Sequence, residues 1–227
     1  PNIFLASQKN EERLKLLNSP ETPLFNRAIS GAYSPGSTIK PLVALAALTE
    51  GVINTEKQIY SPGYLEIPNP YDPEKPTLFL DWRPQGWVNL ERAIAQSSNV
   101  YFYTVGGGFG DIKGLGIKRL NDWWQKFNLG KPTGIDLPGE ARGLLPTVEE
   151  KEKRTGTPWL LGDTYNVSIG QGDLLLTPLQ LLNYIAAIGN GGKIYRPFIV
   201  SNFKHPGLEA DLSNLQTQIS EVEKGMK

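Results

Sequence analysis

Residues 34–41 read Ser34-Pro35-Gly36-Ser37-Thr38-Ile39-Lys40-Pro41 and run directly into the apolar stretch Leu42-Val43-Ala44-Leu45-Ala46-Ala47-Leu48. Pro35-Gly36 is a turn signal. Proline is tolerated only near the first turn of a helix, so Pro41 forbids a helix that begins much before Ser37. This places Ser37 at a helix N-terminus, with Gly51 as the stop. Residues three apart on a helix are neighbours, with Cβ atoms about 5–6 Å apart, which sets Lys40 on the face of Ser37. A serine there also feels the positive end of the helix macrodipole, which favours an alkoxide or a developing oxyanion. Lysine titrates at about 10.4 in water, so Lys40 serves as a base at neutral pH only if burial or a neighbouring cation lowers that value. Alone, Ser-x-x-Lys is a weak pattern that fixes two residues and leaves Ser37 open to being an ordinary helix cap. It recurs at Ser201-Asn202-Phe203-Lys204, in a segment that reads as strand and would point the two side chains to opposite faces.

Composition excludes most other catalytic chemistries. The chain has 227 residues, enough for a real core, and contains no Cys and one His, His205, so thiol catalysis, disulfides and multi-His metal sites are excluded and a Ser-His-Asp triad nearly so. Lys plus Arg and Asp plus Glu are 23 each, which takes away the basic excess expected of a nucleic-acid binder. No apolar run approaches the roughly 18 residues of a membrane span, and the start Pro1-Asn2-Ile3-Phe4 carries no signal-peptide pattern. Gly 24 and Pro 18 predict many turns and long irregular connections.

Outward from Ser37, a charged helix is expected over Asn10–Asn18, and residues 60–87 read as an irregular excursion with short strands, rich in Pro, Gly and aromatics. Asn89 reads as the cap of a helix through Gln96, followed by Ser97-Ser98-Asn99 and the aromatic run Val100-Tyr101-Phe102-Tyr103. Asp111 is expected to cap a helix burying Leu115, Leu120, Trp123, Trp124 and Phe127, with Gly130 as its stop. Gly106 to Gly110 read as a loop, since no Walker Lys follows, and the charge run Glu149–Arg154 as solvated surface within a loop-like stretch from Lys131 to Trp159. Thr177-Pro178-Leu179-Gln180 carries a capping box with proline at the first helical position, opening a helix that runs to Gly189. A strand is expected over Lys193–Phe203 and a polar helix over Leu212–Lys224. Trp82 and Trp87 are weak candidates for a substrate groove.

Ser97-Ser98-Asn99 alone reads as a polar break between two helices. A Ser-x-x-Lys at a helix start followed by a Ser-x-Asn in an interhelical turn is, however, the motif order of the serine acyltransferases of the β-lactamase and penicillin-binding class. The flanks are more specific. Asn26-Arg27-Ala28-Ile29-Ser30-Gly31 leading to Pro35–Pro41 resembles the active-serine region of class B penicillin-binding proteins, and Gln96–Tyr103 the second motif of their elongation type. Thr133–Glu140, Gly162-Asp163-Thr164, Ile169-Gly170-Gln171-Gly172 and Thr177–Gln180 resemble further segments in the family's order. The resemblance covers roughly Asn26–Val200.

That resemblance implies an α+β, β-lactamase/transpeptidase-like serine acyltransferase fold, with this chain (1–227) carrying mainly the helical part and few short strands. It implies Ser37 as the acylated nucleophile, Lys40 as its base, Ser97 as proton relay, and Asn99 holding Lys40 and the substrate peptide. The reaction would be D,D-transpeptidation of D-Ala-D-Ala stem peptides of peptidoglycan in cell-wall elongation, with β-lactams as mimics and no cofactor or metal. A polymerising glycosyltransferase is the partner implied. The location implied is extracytoplasmic, on a protein anchored in the cytoplasmic membrane. Arg154-Thr155-Gly156 mimics the family's third motif but stands upstream of Gly170-Gln171-Gly172, where the family has that motif after it. The chain is therefore expected to be an incomplete domain without the third motif, pedestal domain or anchor. A D,D-carboxypeptidase or β-lactamase-type hydrolase is the alternative enzyme. A silent scaffold or β-lactam sensor is the alternative outside catalysis.

Overall fold

The computed structural model describes residues 10–69, 72, 74–200 and 207–227. Its centre is α2 (Lys40–Thr49), in which every residue from Lys40 to Ala47 is buried. A helix apolar on all sides has to be surrounded, and four others do this: α3 (Leu90–Ala95), α4 (Asn99–Gly107), α5 (Gly116–Lys126) and α9 (Gln216–Met226). Residues Gly36–Ile39 form a 3₁₀ turn, and the α-helix proper begins at Lys40. Sequence reasoning placed Ser37 at an α-helical start. The reason for the difference is Pro41, which has no N–H to give the Ser37 carbonyl, so the Lys40 N–H takes it in the tighter register.

The strands are short and paired as antiparallel ribbons. β1 (Ile59–Ser61) pairs with β4 (Gly86–Val88), and nested between them β2 (Tyr64–Ile67) pairs with β3 (Thr77–Leu80), in register Tyr64 to Leu80. The remaining helices are α1 (Asn10–Leu17), α6 (Val148–Thr155), α7 (Leu161–Ser168) and α8 (Pro178–Gly189), and β5 (Lys193–Tyr195) pairs with β6 (Leu208–Asp211). The α+β class with mainly helical content and few short strands is as expected.

Several local expectations hold. Asn89 Oδ1 accepts from the Arg92 N–H at 3.1 Å, and the Thr177–Gln180 capping box forms in both directions. Trp123 and Trp124 are buried. Others fail for identifiable reasons. Asp111 caps nothing: it pairs with Lys57 at 2.7 Å, and α5 waits until Gly116, after Gly114 and Gly116 have both turned through positive φ. The run Glu149–Arg154 is not loop but α6, because Thr147 caps it and its charges run acidic to basic along the dipole. Gly106 and Gly107 are helical, at a close approach of α4 to α7, where a Cβ would lie 1.8 Å from Ser168 Oγ and 2.4 Å from the Tyr165 ring. The strand after Lys193 stops at Tyr195, while Ser201–Pro206, with His205 and the second Ser-x-x-Lys, lie outside the described residues. The tail helix is amphipathic rather than polar. It buries Ile219 and Val222 and brings Gly225 so near α3 that a Cβ would stand 2.7 Å from the Glu91 carbonyl.

Candidate active site

Ser37 is exposed in the 3₁₀ turn, and Lys40, three residues on, is 2 % exposed. The Lys40 ammonium donates to three acceptors: the Ser97 carbonyl at 2.8 Å, Ser97 Oγ at 3.1 Å and Asn99 Oδ1 at 2.7 Å. Its nitrogen also lies 5.5 Å from the centre of the Phe102 ring. Ser97 Oγ in turn donates to Ser37 Oγ at 2.9 Å. All four residues singled out in the sequence thus meet, although Ser37 and Lys40 are joined through Ser97 and not by the direct contact that i, i+3 spacing alone suggests.

Burial lowers Lys40 to about 8, with the negative charge of Asp81 working in the opposite direction. At that value about one lysine in ten is neutral at pH 7, against fewer than about one in a thousand for a lysine in water. A hydroxyl hydrogen is free to rotate, so the same oxygens can run the other way: Ser37 donating to Ser97, and Ser97 to a neutral Lys40. The path then links the Ser37 hydroxyl to the Lys40 nitrogen through Ser97.

Ser97 sits there because of how α3 ends. The Ser98 N–H reaches back to the Ala93 carbonyl at 2.9 Å and the Ser97 N–H to the Ile94 carbonyl at 3.0 Å, the double closure of a Schellman motif. Its left-handed position, normally glycine's, is occupied by Ser97 at φ +54°. The reversal aims both the Ser97 carbonyl and its hydroxyl at Lys40. Ser98, fully buried, then caps α4 by accepting from the Tyr101 N–H, and Asn99 is held from behind by donating through Nδ2 to the Leu80 carbonyl at 3.2 Å.

The serine turn is braced by residues that sequence reasoning did not assign a part. The Gly36 N–H donates to the Gly170 carbonyl at 2.9 Å. Gly170 has φ +74°, and a Cβ on it would come within 2.1 Å of the Gly36 carbonyl, so only glycine lets the two backbones close. The Tyr184 hydroxyl donates to the Thr38 carbonyl, and Tyr33 is bridged to Leu176. Trp82 and Trp87 do not share a groove. Trp82 donates through its indole nitrogen to the Gln96 carbonyl, beside the Ser97 turn. Trp87 packs with Tyr60 on another cavity of about 630 Å³, which also takes in Val100 and Thr104 of α4 and none of the four site residues. Arg154-Thr155-Gly156 ends α6, with Arg154 paired to Asp173 at 2.6 Å.

A turn-borne serine, a buried lysine and a Ser-x-Asn closing over it define a serine acyltransferase arrangement of the kind expected from the motifs. The family model for the penicillin binding protein transpeptidase domain matches residues 2–227, and the chain belongs to that family. Peptidoglycan D,D-transpeptidase MrdA of Haemophilus influenzae is 39 % identical over 210 residues, which is 92 % of this chain and 31 % of the relative. Penicillin-binding protein PBP2 of Helicobacter pylori, solved in complex with MreC, superposes with a TM-score of 0.83 at 33 % identity, over 96 % of this chain and 38 % of that one. A peptidoglycan synthase complex, whose structure is described as coordinating polymerization and crosslinking, gives 0.78 at 29 % identity, over 95 % and 36 %. The chain spans about a third of the length of the curated relatives it matches. Among the described residues no helix is long and apolar enough to cross a membrane.

Proposed function

We propose that this chain carries the acylation centre of a peptidoglycan D,D-transpeptidase of cell-wall elongation. The observation that carries the reading is the unbroken contact Ser37 Oγ–Ser97 Oγ–Lys40 Nζ–Asn99 Oδ1. Ser37 Oγ attacks the carbonyl of the penultimate D-Ala, and its proton passes through Ser97 to neutral Lys40. The tetrahedral intermediate collapses, the peptide C–N bond breaks, and the terminal D-Ala leaves with the proton returned through Ser97. The amine of a second stem peptide then attacks the ester, gives up a proton along the same path, and releases Ser37. Asn99 keeps Lys40 in place and offers its amide to the substrate peptide.

β-Lactams fit the same centre as strained mimics of the dipeptide. The name peptidoglycan D,D-transpeptidase supports cross-linking as the reaction, and the synthase complex described as coordinating polymerization and crosslinking supports a polymerising glycosyltransferase as partner, with the site working outside the cytoplasmic membrane on an anchored protein. The test is a labelled penicillin with intact-mass detection and peptide mapping. One adduct on Ser37, absent in Ser37→Ala, is expected. A protein that stays unlabelled refutes acylation and leaves a silent scaffold. Release of trimmed monomers in place of cross-linked dimers from stem-peptide donors would move the reading to a carboxypeptidase.

A further inference from the structure

Asp81, the residue after β3, takes part in nothing described so far except its charge effect on Lys40, yet its carboxylate gathers five donors. Oδ2 accepts from Ser98 Oγ at 3.0 Å, the Val100 N–H at 3.1 Å and Ser61 Oγ at 3.3 Å. Oδ1 accepts from the Trp82 N–H at 2.9 Å and Gln85 Nε2 at 3.5 Å. Ser98 and Ser61 are fully buried. The carboxylate therefore sits on the N-terminus of α4, where the helix dipole favours a negative charge, and ties the ribbons to it. The neighbouring Leu80 carbonyl accepts from Asn99 Nδ2 and the Tyr103 hydroxyl. Ser97 and Asn99, the two residues that hold Lys40, flank the residue that Asp81 grips.

We infer that Asp81 is a positioning residue for acylation, fixing the Ser97–Asn99 turn on Lys40. The inference rests on the acylation reading above. Lys40 faces the uncharged Ser97, Asn99 and Phe102, and Asp81 is the charge that bears on it. Tyr103, on the same helix as Asn99, is pushed up to about 12 by burial and by Asp81, so it stays neutral over the working range. Several charged groups on the other helices around α2 are engaged elsewhere. Arg92 of α3 donates to the Trp87 carbonyl, Lys118 and Asp122 pair on α5, Arg119 holds the Gly114 carbonyl, and Lys224 pairs with Glu221 on α9. Glu50, at the far end of α2, accepts from Trp123 Nε1.

The experiment is the penicillin acylation rate of the protein against pH, for wild type, Asp81→Asn and Asp81→Glu. Asparagine removes the charge that raises Lys40 and leaves one acceptor oxygen where five donors converge. Its maximal rate should fall at least tenfold and its acid limb should move to lower pH by about half a unit or more, less than the 1–3 units of a directly contacting charge. Asp81→Glu, which keeps the charge and displaces the grip, should lose rate with the limb unmoved. A purely structural part would lower the rate in Asp81→Asn at every pH and leave the limb in place, and that result overturns the inference. If Asp81→Asn does not melt cooperatively, Ser98→Ala is read in its place: a rate loss with an unmoved limb supports the grip, and a wild-type rate overturns it. Wild type that is never labelled refutes the acylation reading and this inference with it, whereas labelled wild type with an unmoved Asp81→Asn limb refutes this inference alone.

Discussion

Replacing Ser97 separates the cost of its backbone from the use of its side chain. At φ +54° the left-handed conformation costs a residue bearing a Cβ about 1–2 kcal/mol, and glycine almost nothing. Glycine's extra freedom in the unfolded chain takes back about 0.5–1 kcal/mol. Ser97→Gly and Ser97→Ala both delete the hydroxyl that joins Ser37 to Lys40, leaving Lys40 on the Ser97 carbonyl and Asn99. They differ only in the backbone, so glycine should be the more stable of the two by about 0.5–1 kcal/mol. For a protein of this size that is a melting difference of about 1–4 °C. Both variants should be acylated about 10²–10⁴-fold more slowly, the typical worth of a positioned proton-transfer group. Melting curves and stopped-flow acylation with a chromogenic β-lactam read the two quantities separately. Alanine as stable as glycine would refute the strain, and either variant acylated within threefold of wild type would refute the relay.

Lys40→Arg keeps the charge but cannot give up a proton, so acylation should fall to background, while in wild type the rate should climb as pH rises through about 8. The linkage has a fixed sign. A lysine lowered on folding binds fewer protons folded than unfolded between about 8 and 10.5, so denaturant stability of wild type relative to Lys40→Met should rise from pH 7.5 to pH 9.5. Gly170→Ala must push the Gly36 carbonyl away from 2.1 Å, and should cost about 1–3 kcal/mol in a denaturant titration while slowing acylation of the displaced Ser37. Thr177→Ala removes the cap of α8 and should cost about 1 kcal/mol, visible in the melting temperature.

What could be read from the sequence was local. Pro41 and Gly51 bound a helix, Asn89 and Thr177 cap others, and side-chain oxygens that satisfy nearby N–H groups leave a signature within four residues. Ser37, Lys40, Ser97 and Asn99 carried motif order and flanks, and the structure brings them together. Asp81 left no such mark, because its partners lie 17 to 20 residues away for Ser98 and Ser61, through nested ribbons whose pairing no short pattern encodes. Gly170 was legible only as part of a family segment, since its reason is a backbone 134 residues distant, at Gly36. Asp111 shows the opposite error: a good cap by type, spent on Lys57 because two glycines delay the helix. The tail helix reads as polar because Ile219 and Val222 make only a narrow apolar stripe, enough when the facing helix can come as close as Gly225 allows.

The seat of α9 on α3 has a consequence in time. Ser97 terminates α3, and α3 is held from outside by the last described helix of the chain. A ribosome adding about 5–20 residues per second finishes Asn99 and then needs roughly 6–25 s more to reach the end of α9. All four site residues are therefore made well before the helix that packs against α3. Until α9 is made, α3 lacks the helix that packs on its outer side, so the Ser97 turn that ends α3 gains that support only after the α9 residues have been added.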